Sequence, residues 1–577
     1  MPVSRRTFLK TAAIASGATV MPLGDAAWAD WPSESVLDEL RAKVGERLIA
    51  VENPLAPCLV GASGEACEAR LQNLNNPFFI ERQPGGYQST GWLDAWKVEI
   101  SPYAVAAESP GDIVAAVNFS REHGVRLAIK GTGHDYLGRN CAAASLLVWT
   151  HNMRAVNYHE AFRIAGADDT APGVPAVSAQ AGARWVEVYL AASANDRYVQ
   201  GGGCTSVGAA GGFIQGGGYG SFSKRFGSGA GGVLEFEVVT ADGQMLVANA
   251  IQNSDLFWAL RGGGGGTFGV VTKVMLRTHE RPDTFGILSG TITAPDDEGF
   301  KDLIEWIVAF YPDALNNPSW GEQISLKPDN SLELFMTYLD LDEATAMSVW
   351  APLADALPEG FAVDLSAKTH PFAGMWDLDY WRDTDPGFVT TDQSPGGDPN
   401  MFWWSPNQAE VSGFTNTYES RWLPIDHFEP ENARELTRVL FDASRHASPS
   451  LHTNKGLAGV PDDVMAREQE TSINPLVRDA AALIILSSRR APRYPGVPGH
   501  EPDLAKSREI AAAISEAMTI LRAATPGGGA YMNEADYFEP DWQQSFYGVH
   551  YERLLEIKQR YDATNLFKVH HGVGSEF

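Results

Sequence analysis

Two side chains with bond-forming chemistry sit in glycine-rich surroundings, seventy residues apart. His134 follows Ala128-Ile129-Lys130-Gly131-Thr132-Gly133 and precedes Asp135-Tyr136-Leu137-Gly138-Arg139. Cys204 lies in Gly201-Gly202-Gly203-Cys204-Thr205-Ser206-Val207-Gly208, which runs on to Gly211-Gly212 and Gly216-Gly217-Gly218-Tyr219-Gly220. Glycine-rich loops let backbone N–H groups come close to a phosphate. An imidazole or thiol beside such a loop can bond to the cofactor that the loop holds. A third group stands near the C-terminus, in Tyr531-Met532-Asn533-Glu534-Ala535-Asp536. Residues of these types can take a proton from a substrate. A tyrosinate near a cation or a carboxylate with a raised pKa can serve. Tyr531 is the first choice, Glu534 the second, and Lys455 the candidate positive neighbour.

The two loops and the tail together resemble the vanillyl-alcohol-oxidase/p-cresol-methylhydroxylase (PCMH-type) superfamily of FAD enzymes, in its berberine-bridge-enzyme-like branch. The resemblance implies that His134 and Cys204 both attach covalently to the flavin. It places Lys130, Gly131, Thr132 and Gly133 under the pyrophosphate, with Lys130 adding charge. Asp135, Ser206, Val207, Gly208, Gly211, Gly212, Gly217, Gly220, Val271 and Asn533 complete the implied FAD site. Tyr136 is implied to face the substrate, and Val207 to sit where a small residue admits oxygen. Where many relatives have proline beside the cysteine, this chain has Gly203, Thr205 and Ser206. Where many have a second tyrosine, it has Glu534. The implied activity is an oxidase that passes hydride from a carbohydrate, an alcohol or a secondary metabolite to flavin, with O2 as acceptor. The alternatives are a dehydrogenase serving a quinone or cytochrome, and a flavin-carrying binding protein without turnover. A nicotinamide enzyme is disfavoured, because neither glycine cluster opens a Gly-x-Gly-x-x-Gly turn with a following acidic residue.

The elements around these residues read as α+β. Ser109 and Pro110 open a helix that stops at Gly124. Val125 to Ile129 then forms a strand that delivers the His134 loop. Val233 to Thr240 and Gln244 to Ala248 form a hairpin across Ala241-Asp242-Gly243. Ser254 caps a short helix to Leu260. The five glycines Gly262 to Gly266, followed by the strand Phe268 to Thr272, fit a backbone packed against a ligand. The expected domains are an FAD-binding domain over 30–282, an α+β substrate domain with an antiparallel sheet over 283–528, and a tail over 529–577 that returns to the FAD domain. In the substrate domain, strands are expected at Thr284 to Ile292, Leu332 to Tyr338 and Ala481 to Ser487. The helices expected there are Asp297 to Phe310, Ala433 to Ala447 and Leu504 to Ala523. In the tail, Tyr551 to Tyr561 is expected as a helix. The aromatic residues Trp376, Trp381, Trp403, Trp404 and Trp422 read as core more readily than as a binding platform.

Residues 1–29 read as a twin-arginine export signal: Ser4-Arg5-Arg6-Thr7-Phe8-Leu9-Lys10, a short apolar run, then Ala27-Trp28-Ala29. The implied location is periplasmic or secreted, and the apolar run is too short for a membrane anchor. Removing the signal shifts the formal charge from -28 to about -30. This acidity argues against nucleic acid or anionic membrane as partners. Of the four cysteines, Cys58 and Cys67 are the expected disulfide and Cys141 is left as a buried free thiol. No Cys or His spacing matches a zinc site, and His570-His571 read as structural.

Overall fold

A computed structural model describes residues 31–59 and 64–577. The export signal lies outside the described residues. Three sheets carry the architecture. A four-stranded sheet runs Leu48–Ala50, Tyr103–Ala106, Ser145–Trp149, Arg126–Lys130, and its last three strands are parallel. An antiparallel five-stranded sheet runs Met245–Asn249, Val233–Val239, Val270–Arg277, Val174–Gln180, Val156–Phe162. The helix Pro110–His123 covers the first sheet. Ser109 closes a capping box with Asp112, and Gly124 ends the helix in the left-handed region. The short helix before the glycine run is capped one residue earlier than expected, by Asn253 at φ 47°. Asn tolerates that conformation better than Ser.

The third sheet has nine strands, in the order Ala362–Pro371, Thr284–Thr293, Ser331–Leu339, Trp320–Leu326, Ser450–His452, Ala480–Arg490, Gly413–Pro424, Ser89–Trp92, Trp96–Lys97. The sequence boundary at 282 is therefore not a clean cut. Ser89–Trp92 crosses it to pair in parallel with Gly413–Pro424, and Trp96–Lys97 closes the edge. The pairing supplies partners for backbone groups that an open edge would leave bare.

Strand alternation decides which side of this sheet does chemistry. Leu288, Ile324, Leu334 and Met336 point to one face. They pack with Phe300, Leu303, Leu436, Leu440, Ile514 and Met518 of the helices Asp297–Ala314, Ala433–Ser444 and Leu504–Ala524. Residues of the opposite parity, Phe285, Ile287, Gln323, Phe335 and Thr337, face a cavity. The tail bridges both regions. The Tyr531 N–H donates to Ser420 Oγ on the large sheet, and Lys558 Nζ donates to the Thr267 carbonyl beside the glycine run. Cys58 and Cys67 form a disulfide, and Cys141 and Cys204 are free thiols. Among the described residues, no helix is long and apolar enough to cross a membrane, and no group of His, Cys, Asp or Glu could hold a metal ion.

Candidate active site

One cavity, of about 710 Å³, runs between the small sheets and the free face of the nine-stranded sheet. Leu127, Ile129, Val270 and Phe567 make one apolar end. Along its length the wall is backbone: Gly131, Gly133, Gly208, Gly211, Gly212, Gly265 and Gly266. Of the residues expected to bind the cofactor, Gly131, Thr132, Gly133, Asp135, Gly208, Gly211, Gly212, Gly220, Val271 and Asn533 line this space. At Gly203, Gly211 and Gly212 an added Cβ would meet no protein atom within 4 Å, so these positions are open toward the space. Gln215 Oε1 and Tyr219 OH are buried on its wall without a protein partner. Buried polar atoms of this kind are normally satisfied. A long, glycine-walled cavity with an apolar end and spare polar atoms fits a dinucleotide such as FAD.

His134 and Cys204 meet on this wall. His134 Nε2 lies 3.0 Å from Ser206 Oγ, and Cys204 Sγ lies 3.5 Å from the same oxygen. The strand Arg126–Lys130 aims the first loop, and Gly133 turns it at φ 88°. Burial, with Arg489 adding to it, pulls the His134 imidazole down to about 3, so it is neutral at working pH and one ring nitrogen carries a lone pair. Burial pushes the Cys204 thiol above its ordinary value. Trp404 Nε1 donates to the Gly203 carbonyl (2.9 Å) and Thr205 Oγ1 to the Phe402 carbonyl (2.6 Å), so the segment Phe402–Trp404 clamps the cysteine loop.

Three expected cofactor residues are absent from the cavity lining: Ser206, which is buried against His134 and Cys204, and Lys130 and Gly217, which are turned away. Lys130 Nζ donates to the carbonyls of Gln83, Pro84 and Gly86 at 2.7–2.8 Å, and all three of its donors are used there. Lys130 is on a strand whose alternate residues Leu127 and Ile129 face the cavity, so its side chain points to the other side. Gly217 lies outside the cavity lining. Its φ of 115° makes a turn whose carbonyl accepts the Ala230 N–H.

At the far end, Tyr531 OH accepts from Asn533 Nδ2 at 3.1 Å, and Asn533 Oδ1 accepts from Arg139 Nη2 at 3.0 Å. Arg139 also grips Asp135, so one guanidinium ties the His134 loop to the tail. Lys455 is buried and paired with Glu534, with its ammonium 5.8 Å from the centre of the Tyr531 ring. It is not a solvated loop lysine. Burial first, then Glu534, raises the Tyr531 phenol well above its ordinary value. Tyr136 OH donates to Glu410 Oε2 at 2.9 Å, its ring stacks on Tyr418, and the Arg489 guanidinium lies 4.5 Å from its centre. Val207 is on the same cavity wall. Trp381 and Trp404 also line it, whereas Trp376, Trp403 and Trp422 are core.

Arg139, Gln215, Glu322, His452 and Arg489 belong to the site and were not singled out in the sequence. Arg139 alone left a local signal, standing four residues from Asp135. Glu322 is held at φ 75° inside the strand Trp320–Leu326. Such backbone strain costs about 1–3 kcal/mol and collects at functional sites.

Two family models match this chain: an FAD binding domain over residues 101–249, and a berberine and berberine-like segment over residues 530–574. A VAO-type flavoprotein oxidase of Thermothelomyces thermophilus is 30% identical over 614 residues, covering 100% of this chain and 98% of that one. The chain belongs to the vanillyl-alcohol-oxidase-type FAD enzymes, in the berberine-bridge-like branch. It is an FAD-linked oxidoreductase with the family's mixed α+β fold. The crystal structure of a VAO-type flavoprotein from Myceliophthora thermophila C1 superposes with a TM-score of 0.74 at 27% identity, over 96% of this chain and 98% of that one. A glucooligosaccharide oxidase from Acremonium strictum, described as carrying 6-S-cysteinyl, 8α-N1-histidyl FAD, shares the fold with a TM-score of 0.59 at 19% identity, over 82% and 92%. The berberine-like match spans the Tyr531–Glu534 group, and the FAD-domain match spans both His134 and Cys204.

Proposed function

We propose that this chain is an exported oxidase with FAD bound through His134 and Cys204, oxidising a hydroxyl-bearing substrate and delivering the electrons to O2 as H2O2. The observation that carries the reading is Ser206 Oγ within 3.0 Å of His134 Nε2 and 3.5 Å of Cys204 Sγ on one wall. His134 and Cys204 would hold one flavin between them, through the imidazole nitrogen and the thiol sulfur. The doubly tethered flavin described for the glucooligosaccharide oxidase supports the same chemistry here. When bound, the flavin supplies the acceptor for hydride from the substrate carbon.

The protein's own residues do the rest. Tyr531 takes the hydroxyl proton, with Asn533 fixing its oxygen and Arg139 fixing Asn533. The Lys455–Glu534 pair sets the charge around it. Tyr136 and Tyr418 stack to shape the site beside the His134 loop. Val207 lines the cavity at the position that the family resemblance associates with admitting O2, which supports an oxidase.

The test is flavin retention after acid precipitation. Wild type, His134→Ala and Cys204→Ala are each expected to keep flavin in the pellet, and the double variant to release it. Release from the wild type would refute the two tethers. Export follows from Arg5-Arg6 and the Ala27-Trp28-Ala29 site, and the mature protein is expected in the periplasmic or culture fraction, beginning at Asp30. Replacing both arginines by lysine is expected to hold it in the cytoplasm. Unchanged export in that variant would rule out the twin-arginine route.

A further inference from the structure

Glu322 stands apart from the machinery assigned so far. Among the described residues, it is the one non-glycine residue inside a strand with φ in the left-handed region. Unlike Asn or Asp, Glu has no short side chain to ease that conformation. Four hydrogen bonds hold it in place. Its carbonyl accepts from the Thr453 N–H at 2.8 Å and from Thr453 Oγ1 at 2.9 Å. Its Oε1 accepts from Ser221 Oγ at 2.5 Å and from Asn454 Nδ2 at 3.2 Å.

The fixed carboxylate lines the cavity, beside Gln323, His452, Asn454, Lys455 and Glu534. A carboxylate offers about four lone-pair sites; Ser221 and Asn454 on Oε1, with the Gln323 side chain as a third neighbouring donor, still leave accepting capacity. Asn454 adds to it. Its side chain is only 3% exposed and its Oδ1 has no protein partner. Glu322 and Asn454 together form a wall of spare acceptors, and a ligand satisfies acceptors only by bringing donor hydrogens. Lys455 and Glu534 are paired with each other, so Glu322 keeps this end net negative. The neighbouring strands offer Ile287 and Phe335, which suit an apolar body and give no hydrogen bonds.

We infer that Glu322 is a specificity-determining residue: it accepts a hydrogen bond from a second, non-reacting hydroxyl of a neutral substrate and refuses substrates that carry a carboxylate there. The inference rests on the oxidase reading for the reaction it serves, but its test reads binding alone. A hydroxyl donates to Glu322 and so relieves an acceptor. A carboxylate donates nothing and brings a like charge beside Glu322.

The test is calorimetric titration of dithionite-reduced holoenzyme under nitrogen, at about pH 8 because burial raises the Glu322 carboxyl above its ordinary value, against the pull of Ser221 and Lys455, and the carboxylate must be ionised. The reduced enzyme cannot oxidise what it binds. The probes are 1,4-benzenedimethanol and 4-(hydroxymethyl)benzoate, which differ in one arm, CH2OH against carboxylate. The wild type is expected to bind the diol at least about 10-fold tighter, and Glu322→Gln, which keeps size and backbone, to bring that ratio below about threefold. Glu322→Asp keeps the charge but withdraws the reach, so it is expected to weaken the diol while still refusing the benzoate. An unchanged ratio in Glu322→Gln overturns the inference, as does a wild type that prefers the benzoate, fails to discriminate or binds neither probe. Absence of peroxide from every alcohol would instead refute the oxidase reading, and the binding ratio would still decide the role of Glu322.

Discussion

Tyr531→Phe is expected to lower kcat by about 10²–10⁴-fold while the flavin stays attached, the usual contribution of a positioned acid–base group. The hydroxyl it removes lies on the cavity wall, held by Asn533 Nδ2. The sign of the pH dependence follows from the environment. Burial and Glu534 raise the phenol above its ordinary value. A base works deprotonated, so the competent fraction grows as pH rises toward that raised value. Wild-type kcat/KM is therefore expected to climb with pH, without a plateau below the ordinary tyrosine range, and Tyr531→Phe to lose that alkaline rise. Glu534→Gln removes a negative charge that raises the phenol and frees Lys455 to favour the tyrosinate, so the rise is expected at lower pH. A Tyr531→Phe enzyme within about threefold of wild type would pass the role to another group, with Glu534 next in line.

Lys558→Met is expected to cost about 3–5 kcal/mol, read as a lower urea midpoint by tryptophan fluorescence, with the flavin-loaded yield falling in step. Lys558 is 0% exposed. Its ammonium donates to the carbonyls of Thr267 and Phe567 and to Asp562 Oδ2, at 2.5–2.7 Å. Asp562 in turn accepts the N–H groups of Leu566 and Phe567. Methionine fills the space but leaves a buried carboxylate without its cation and two carbonyls without donors. The position matters because Thr267 follows Gly265 and Gly266, and Phe567 precedes Lys568 and Val569, all four on the cavity wall. Adding Asp562→Asn to Lys558→Met removes the stranded charge and is expected to recover more than about 1 kcal/mol. A single variant within about 1 kcal/mol of wild type would show that the pair does not hold the tail in place.

Much of the scaffold was legible because local rules dictated it. Ser109, Pro110 and Gly124 bound a helix by capping chemistry that involves only its neighbours. The helix Tyr551–Tyr561 and the strand Thr284–Thr293 agree with the sequence reading to within a residue. His134 and Cys204 were legible because each carries reactive chemistry inside a glycine loop. Lys130 misled for a reason of the same kind. A lysine beside a glycine loop suits a phosphate, but strand alternation turns it toward three carbonyls.

Other features exist only once the chain is folded. Glu322 lies in an ordinary-looking strand, and its left-handed backbone and its hold on Ser221 and Asn454 join residues more than a hundred apart. Arg139 reaches Asn533 across almost four hundred residues. Ser89–Trp92 joins a sheet whose other strands lie far along the chain, apart from its neighbour Trp96–Lys97. By itself, the sequence determined the reactive atoms, the glycine loops around them and the family they belong to, because those are carried by residue type and short spacing. The tertiary structure alone decided which charges meet, which acceptors go unsatisfied and which face of the large sheet walls the cavity. Those depend on distances through space that spacing along the chain does not encode.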